Sequence, residues 1–428
     1  MSSPQPTRVN IRTYQVGFGD CFVLSFFYDD RPRMRTRRIL IDFGTTGLAK
    51  SGPRSLRIVA ESIAQHCEGR LDAIIVTHRH MDHISGFRGR SGEIIASLKP
   101  KLVLQPWTED PRAAVDASRP TRRLKRRQSF TTMLDDMHDV AAASLKELGT
   151  QSKRFSKDVR QQLGFLGQDN IKNRAAVEWL MKLPCKHRYL AYGYGSGLER
   201  LVPGLNVHVL GPPTVDQTDE ILTQRSRDAD EFWHFQAMAS KRVVRHSIRL
   251  FPKASVRRNM PPEARWFIPR LDSIRGEQLL QIVRNLDNAM NNTSLIMLFE
   301  TGNQKLLFPG DAQLENWSYA LKEAPESNRN LKLLGDVTVY KVGHHGSLNA
   351  TPKTLWGKFQ RRNQETTEDR LVTLLSTASG KHGNTDRGTE VPRNKLVIAL
   401  KKDSEFHSTE DISHGQSYED IEVEVDHA

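Results

Sequence analysis

Three histidines and an aspartate fall within six residues at the end of an apolar run. AIIVT (73–77) leads directly into His78-Arg79-His80-Met81-Asp82-His83. Imidazole and carboxylate together suit zinc or a similar divalent metal. The spacing has a physical reading. His78 and His80 can face one side of an extended turn, while Asp82 and His83 follow as the chain curls into a helix and reach a second point a few Å away. A chain carrying this segment is expected to place a buried strand beneath a metal site.

The rest of the chain alternates in a way that can supply such a strand with neighbours. CFVLSFFY (21–28), RILIDF (38–43) and KLVLQ (101–105) are short β-rich runs, and SLRIVAESIAQHC (55–67) has helical spacing. SLIMLFE (294–300) and KLLFP (305–309) read as a hairpin around GNQ; DVTVYKV (336–342) and LVTLLS (371–376) read as strands. QLENWSYALKEA (313–324) and VPRNKLVIALKK (391–402) read as helices, and DIEVEV (420–425) alternates as an edge strand does. Between them the character changes. SRPTRRLKRRQ (118–128) reads as a basic loop, 130–149 and 173–182 as helices, and NVHVLGPP (206–213) as a strand. The expected organisation is a β-rich half over 1–105, a mainly helical, basic insertion over 106–290 with one scaffold strand near 206–210, and a second β-rich half over 291–428. Two such halves flanked by helices suggest a layered α/β sandwich.

Charge narrows the partner. The net charge is +13, yet Asp403 to the end holds nine acidic residues and no Lys or Arg, so the preceding residues carry +22. A basic body fits an anionic substrate or partner, nucleic acid or nucleotide included. The three cysteines, Cys21, Cys67 and Cys185, are too few and too scattered for a disulfide framework or a cysteine zinc site. No apolar run approaches about 18 residues, so no membrane span is expected, and the polar start MSSPQPTRVN reads as cytoplasmic.

HxHxDH is the signature of the metallo-β-lactamase superfamily, which this segment resembles without gaps. The resemblance implies a four-layer αββα sandwich, here with a largely helical insertion, and a hydrolase using a water activated by two divalent ions, zinc or alternatively manganese. His78 and His80 are then ligands of the first ion, and Asp82 and His83 of the second, with Asp82 also orienting the water. Asp42, ending ILIDFG, matches a family aspartate that supports the ligands without binding metal. Asp311 in FPGDA matches the family's GD motif, whose carboxylate bridges both ions. VGHHGS offers His344 and His345, of which His345 is preferred as ligand and His344 as a pocket residue. One element is missing: the histidine that most members carry shortly before GD is replaced by NAMNNTS (288–294), with Asn291 or Asn292 in the approximate place.

The combination VGFGDCFVL, ILIDFG, HRHMDH, NNTSLIML, FPGDA and VGHHGS is similar to the branch holding the hydrolase domain of ComEC-type DNA-uptake proteins, and to phosphorylcholine esterases. The similarity covers about 10–105 and 291–412. It implies phosphodiester cleavage on nucleic acid or a nucleotide-like molecule. His382 in SGKHGN resembles a pocket histidine of that branch that donates a proton or contacts phosphate; Asn292 and Ser347 are weaker candidates of the same kind. The alternatives are a hydrolase of a lactam, lactone or thioester, and a nucleic-acid-binding effector module whose metal is mainly structural. The oligomeric state is not legible in the sequence.

Overall fold

Apolar, β-branched runs that are buried on both faces become the strands of two mixed sheets. The computed structural model describes residues 4–29, 34–113, 122–151, 156, 159–160, 162–164, 173–218, 277–280, 283–284, 286–363, 370–381 and 390–427. By contacts the chain divides into two compact units: one comprises Met1–Pro111, Asn173–Ile221 and Met290–Ala428, the other Arg112–Lys172 and Leu222–Ala289.

The thirteen strands among the described residues all lie in the first unit. They are β1 (Arg8–Tyr14), β2 (Cys21–Phe27), β3 (Arg37–Phe43), β4 (Ala73–Ile75), β5 (Leu102–Pro106), β6 (Lys186–Leu190), β7 (Asn206–Gly211), β8 (Ile296–Thr301), β9 (Gln304–Phe308), β10 (Val339–Lys341), β11 (Val372–Leu375), β12 (Glu405–Ser408) and β13 (Tyr418–Glu424). The seven-stranded sheet runs β13-β1-β2-β3-β4-β5-β6, and the six-stranded sheet β12-β11-β10-β9-β8-β7. From β3 to β6, and from β9 to β12, neighbours are parallel; the remaining pairs are antiparallel.

One apolar core joins the sheets face to face, with Val9, Phe22, Leu24, Ile39 and Ile75 meeting Met297, Phe299, Phe308, Val339 and Leu374. The outer face of the first sheet (Val23, Leu40, Ile74, Val103) is covered by the helices Leu56–His66, Gly89–Ser97 and Arg174–Met181 through Val59, Ile63, Ile95 and Leu180. The outer face of the second is covered by Trp317, Leu334, Leu396 and Leu400 from the segments Leu314–Ser318, Ser327–Gly335 and Asn394–Asp403. Each such side chain stabilises the fold by roughly 1.5–3 kcal/mol when fully buried.

The expected hairpin at 294–309 is present as β8–β9, and DIEVEV is the edge strand β13. Two strands carried no clear apolar run. β6 (KHRYL) has a largely polar sequence and gains its place by pairing with β5 at the sheet's edge. β12 (EFHS) is similar at the other sheet's edge. The basic stretch read as a loop is different as well: Arg122–Gln151 forms one helix of 30 residues. Arg, Lys, Leu and Gln are good helix formers. Within that second unit Phe130, Leu134 and Ala141 are buried, Lys125 is exposed, and Arg127 is buried, so the basic run is not uniformly solvent-facing. No helix among the described residues is long and apolar enough to cross a membrane.

His407 links the two sheet edges: its Nδ1 lies 2.8 Å from Glu419 on β13 and its Nε2 lies 3.3 Å from Glu405. The bond to Glu419 raises its pKa above the ordinary 6.5 against the opposing effect of burial, with Glu405 adding to the rise. A raised value means the contribution is full below about pH 6.5 and is lost as pH climbs through the folded-state value. Thermal melts of Glu419→Gln should therefore lose the wild type's small stability advantage at about pH 6 and match it near pH 9, a difference of under about 1 kcal/mol for so exposed a pair.

Candidate metal centre

The loops that carry the chemistry leave the carboxyl ends of β3, β4, β9, β10 and β11, which lie at one rim of the two sheets. The motif begins where β4 stops. Val76 still donates to the carbonyl of Leu104 at 2.9 Å, and Leu295 donates to the carbonyl of Thr77 at 2.9 Å, so one sheet hands the chain to the other here. His80 is extended at φ −60°, ψ 153° and opens the short helix Met81–Ile84, whose His83 and Ile84 amides both bond the carbonyl of His80 at 3.1 Å. Gly44 allows this turn to sit against the end of β3; a Cβ there would lie 2.5 Å from the backbone of both Asp82 and His83.

Asp42 ends β3 in the left-handed region at φ 54°, a conformation aspartate tolerates better than most residues. Its Oδ1 accepts from the amide of Thr77 at 2.8 Å, and its Oδ2 accepts from Thr77 Oγ1 at 2.6 Å and from His83 Nδ1 at 2.8 Å. That leaves His83 Nε2 turned toward Asp311 Oδ2 at 3.2 Å and Asp82 Oδ1 at 3.7 Å. His345 repeats the pattern. Its Nδ1 donates to the carbonyl of Ser376 at 2.9 Å, and its Nε2 faces Asp82 Oδ2 at 2.8 Å and Asp311 Oδ2 at 3.8 Å. Asp311 follows Gly310, where glycine is necessary for two reasons: φ is +55°, and a Cβ at this position would lie 2.7 Å from the Cβ of Thr77.

Three groups of side chains among the described residues have nitrogen and oxygen atoms within 4.8 Å of one another: Asp20, Asp42 and His83 behind the centre, and, at the centre itself, two groups, Asp82, His83, Asp311 and His345, and His78, His80 and Asp82. All six residues of these two central groups are buried. His78 Nε2 and His80 Nδ1 are 3.0 Å apart. Asp82 is the residue common to both groups; Asp311, expected to bridge, turns its Oδ2 to the His83–His345 side.

The donor set fits a divalent cation. His83 and His345 each commit Nδ1 to an oxygen acceptor, so each presents Nε2 to carboxylates, an arrangement that needs a proton or a metal between them. Among the described residues, His83 Nε2 and Asp82 Oδ1 are buried without a hydrogen bond of good geometry. Electrostatics agree. Burial disfavours a charged His83, but Asp311, Asp82 and Asp42 outweigh it and hold its pKa well above the ordinary value; His345 is raised in the same way, chiefly by Asp311 and Asp82. Burial likewise opposes the anions, yet the neighbouring imidazoles keep Asp82 low, and His83 and Lys341 keep Asp311 low. His78 is pushed well down by burial and by His83 and His80, which favours the neutral, ligating form. Asp42 is raised because burial outweighs His83.

Of the other expected residues, His344 stands at the edge, half-buried, with its amide donating to Asp311 Oδ1 at 3.1 Å and its Nε2 4.0 Å from Oδ2. Ser347 is half-buried in the next turn. Asn292 is buried, but its amide donates to Glu315 at 2.9 Å and its carbonyl oxygen accepts from the amide of Gln313 at 3.2 Å, so it fastens the segment after Asp311. Asn291 is fully buried beside it. Cys21 is a core residue whose thiol is pushed well up by burial, then by Asp42 and Asp20. His382 lies outside the described residues.

Three residues at the centre were not expected. Thr77 gathers Asp42, His78 and His83 around one hydroxyl, at 2.6, 3.2 and 3.4 Å. Asp20 and Lys341 form a buried ion pair behind the imidazoles. A signal for Lys341 existed: a lysine inside the otherwise apolar strand VYKV, immediately before two histidines. Comparison with protein-family models and with curated proteins yields no match to this chain.

Proposed function

We propose that the chain is a metal-dependent hydrolase of the metallo-β-lactamase type, a four-layer αββα sandwich with a helical insertion, acting on phosphodiesters of nucleic acid or a nucleotide-like molecule. The observation that carries this reading is the pair of buried imidazoles, each oriented through Nδ1 by an oxygen acceptor and each turning Nε2 toward the carboxylates of Asp82 and Asp311. His83, His345, Asp82 and Asp311 would hold one ion; His78, His80 and Asp82 would hold the other. When bound, two divalent ions supply a water acidic enough to ionise near neutral pH and a stabiliser for developing negative charge.

The protein's own groups then have defined tasks. Asp42 and the Ser376 carbonyl fix the tautomers of His83 and His345. Asp82, whose Oδ2 faces His345 and whose Oδ1 has no hydrogen bond among the described residues, would hold metal and orient a nucleophilic water. His344, the half-buried histidine at the edge, would carry a proton to the leaving group or contact phosphate, a task His382 would share. With Asn292 engaged by Glu315 and Gln313, the His78–His80 side lacks the histidine usual before GD, so an ion held there would keep a coordination position for water or substrate. The phosphodiester assignment draws on the motif resemblance and the basic body; lactam, lactone or thioester hydrolysis is the second reading.

Elemental analysis should find about two divalent ions per chain after incubation with zinc or manganese, and the loaded protein should turn over bis(p-nitrophenyl) phosphate in a chelator-sensitive way. A protein that takes up no metal under these conditions would sink the proposal. Metal uptake with turnover of thioesters or lactones alone would select the second reading. Single-stranded DNA, RNA and cyclic nucleotides would sort the phosphodiesters.

A further inference from the structure

Behind the imidazoles lies a charge that the hydrolytic reading does not use. Lys341, the last residue of β10, is 1% exposed. Its ammonium bonds Asp20 Oδ2, donates to the carbonyl of Gly310 at 3.3 Å, and lies 3.6 Å from Asp311 Oδ1. Asp20 is equally buried and is held by its backbone: its amide donates to the carbonyl of Asp82 at 3.0 Å, and its carbonyl accepts from Gly44 at 3.0 Å. Its carboxylate stands 3.7 Å from both His83 Nδ1 and His345 Nδ1. Asp20, Asp42 and His83 are themselves close enough to hold a cation, and the lysine ammonium is the cation bonded to that group.

Asp311 is thereby divided. Its Oδ1 faces Lys341 and the amide of His344, and its Oδ2 faces His83 and His345. We infer that Lys341 is the positioning cation of the centre: held between Asp20 and Asp311, it turns Asp311 so that Oδ2 alone is presented to the metal side. This deepens the proposed function and rests on its metal reading.

The sign of one measurement separates positioning from charge. A fixed positive charge near a dication site repels the dication, so if Lys341 acted through charge alone its removal would tighten metal binding. If it positions Asp311, removal weakens binding. Breaking a buried pair at one end leaves a stranded carboxylate, so the test uses Lys341→Met together with the double variant Asp20→Asn/Lys341→Met, in which both charges are gone and folding is expected to be kept.

Zinc affinity is read by competition with a chromophoric chelator, and ligand geometry by the visible absorption of the cobalt(II)-loaded protein. Wild type should bind both metals. Lys341→Met, which removes the positive charge alone, should bind zinc at least about 10-fold more weakly, the scale of losing a group that orients a ligand, where charge alone predicts tighter binding. The double variant, folded by thermal melt and unchanged in net charge, should show the same weakening and a changed cobalt spectrum, which a purely structural role would leave unmoved. Unchanged or tighter zinc binding with a wild-type cobalt spectrum overturns the inference while leaving the hydrolase reading intact. Wild-type protein that binds neither metal overturns both. A double variant that does not fold turns the test to Lys341→Arg, which keeps the charge with a different reach: an unaltered zinc affinity and spectrum there would equally overturn the inference.

Discussion

Asp82→Asn should leave the fold standing and remove the turnover. Asp82 is shared by the two candidate ligand groups, and its uncharged amide replacement is nearly the same size. Four buried carboxylates, Asp20, Asp42, Asp82 and Asp311, crowd this rim, and among the residues bonded or ion-paired to them Lys341 is the buried lysine. The neighbouring imidazoles hold Asp82 anionic and His345 Nε2 faces its Oδ2 at 2.8 Å, so chelator-treated Asp82→Asn should melt somewhat below wild type at neutral pH while still unfolding cooperatively. Turnover of the chromogenic diester should fall by about 10²–10⁴-fold, roughly 3–5 kcal/mol of barrier, and metal content should drop. Asp311→Ala should chiefly empty the His83–His345 side, because Oδ2 faces that side. Wild-type rates in Asp82→Asn would place the activity elsewhere in the molecule or in a contaminant.

Asp42→Ala should cost both stability and metal affinity. Three donors lose their acceptor at once, the Thr77 amide, the Thr77 hydroxyl and His83 Nδ1, all buried. Alanine must also adopt φ near +54°, which it does poorly. Removing one partner from a buried charged network destabilises by about 3–5 kcal/mol, readable as a shifted denaturant midpoint. Metal affinity should weaken by about 10–100-fold, the usual effect of losing the group that orients a ligating imidazole. His83→Ala separates the two effects: it should lose metal affinity while Thr77 keeps its acceptor, so its stability loss should be smaller. Equal destabilisation by both variants would mean that Asp42 acts through His83 alone.

Much of the centre was legible because it is local. His78, His80, Asp82 and His83 need only one strand end and one helical turn to converge, and those follow from an apolar run meeting a short polar segment. Asp311 and the histidine pair were legible for the same reason, each standing just past an apolar run that becomes β9 or β10. The choice within the pair was less so. His344 and His345 are followed by Gly346, and all three have positive φ, 46°, 51° and 89°. That unusual turn drives His345 inward to 0% exposure and leaves His344 at the edge, and no local propensity specifies it.

The edge strands β6 and β12 were hidden because their partners, not their composition, make them strands. KHRYL forms β6 because β5 offers an unpaired edge in parallel register, Leu102 opposite Lys186. The basic run entered the helix Arg122–Gln151 because arginine and lysine serve a helix as well as a loop, and charge alone does not distinguish them.

By itself, the sequence determined the alternating α/β character, the hairpin at β8–β9, the edge strand β13, and a metal-type donor set at the end of β4. Each depends on residues within about one element of one another, where backbone geometry and apolar periodicity decide the outcome. Tertiary structure alone decided that Asp20 and Lys341, 321 positions apart in the chain, form a buried pair behind that donor set. It also decided that Asp311 divides its oxygens between an ammonium and two imidazoles, and that Asn292 fastens Gln313 and Glu315 instead of standing open. The reason is electrostatic. A charged group accepts full burial only where an opposite charge or a hydrogen-bond partner meets it, and those partners arrive from the rim of the other sheet once both sheets have closed over their common core.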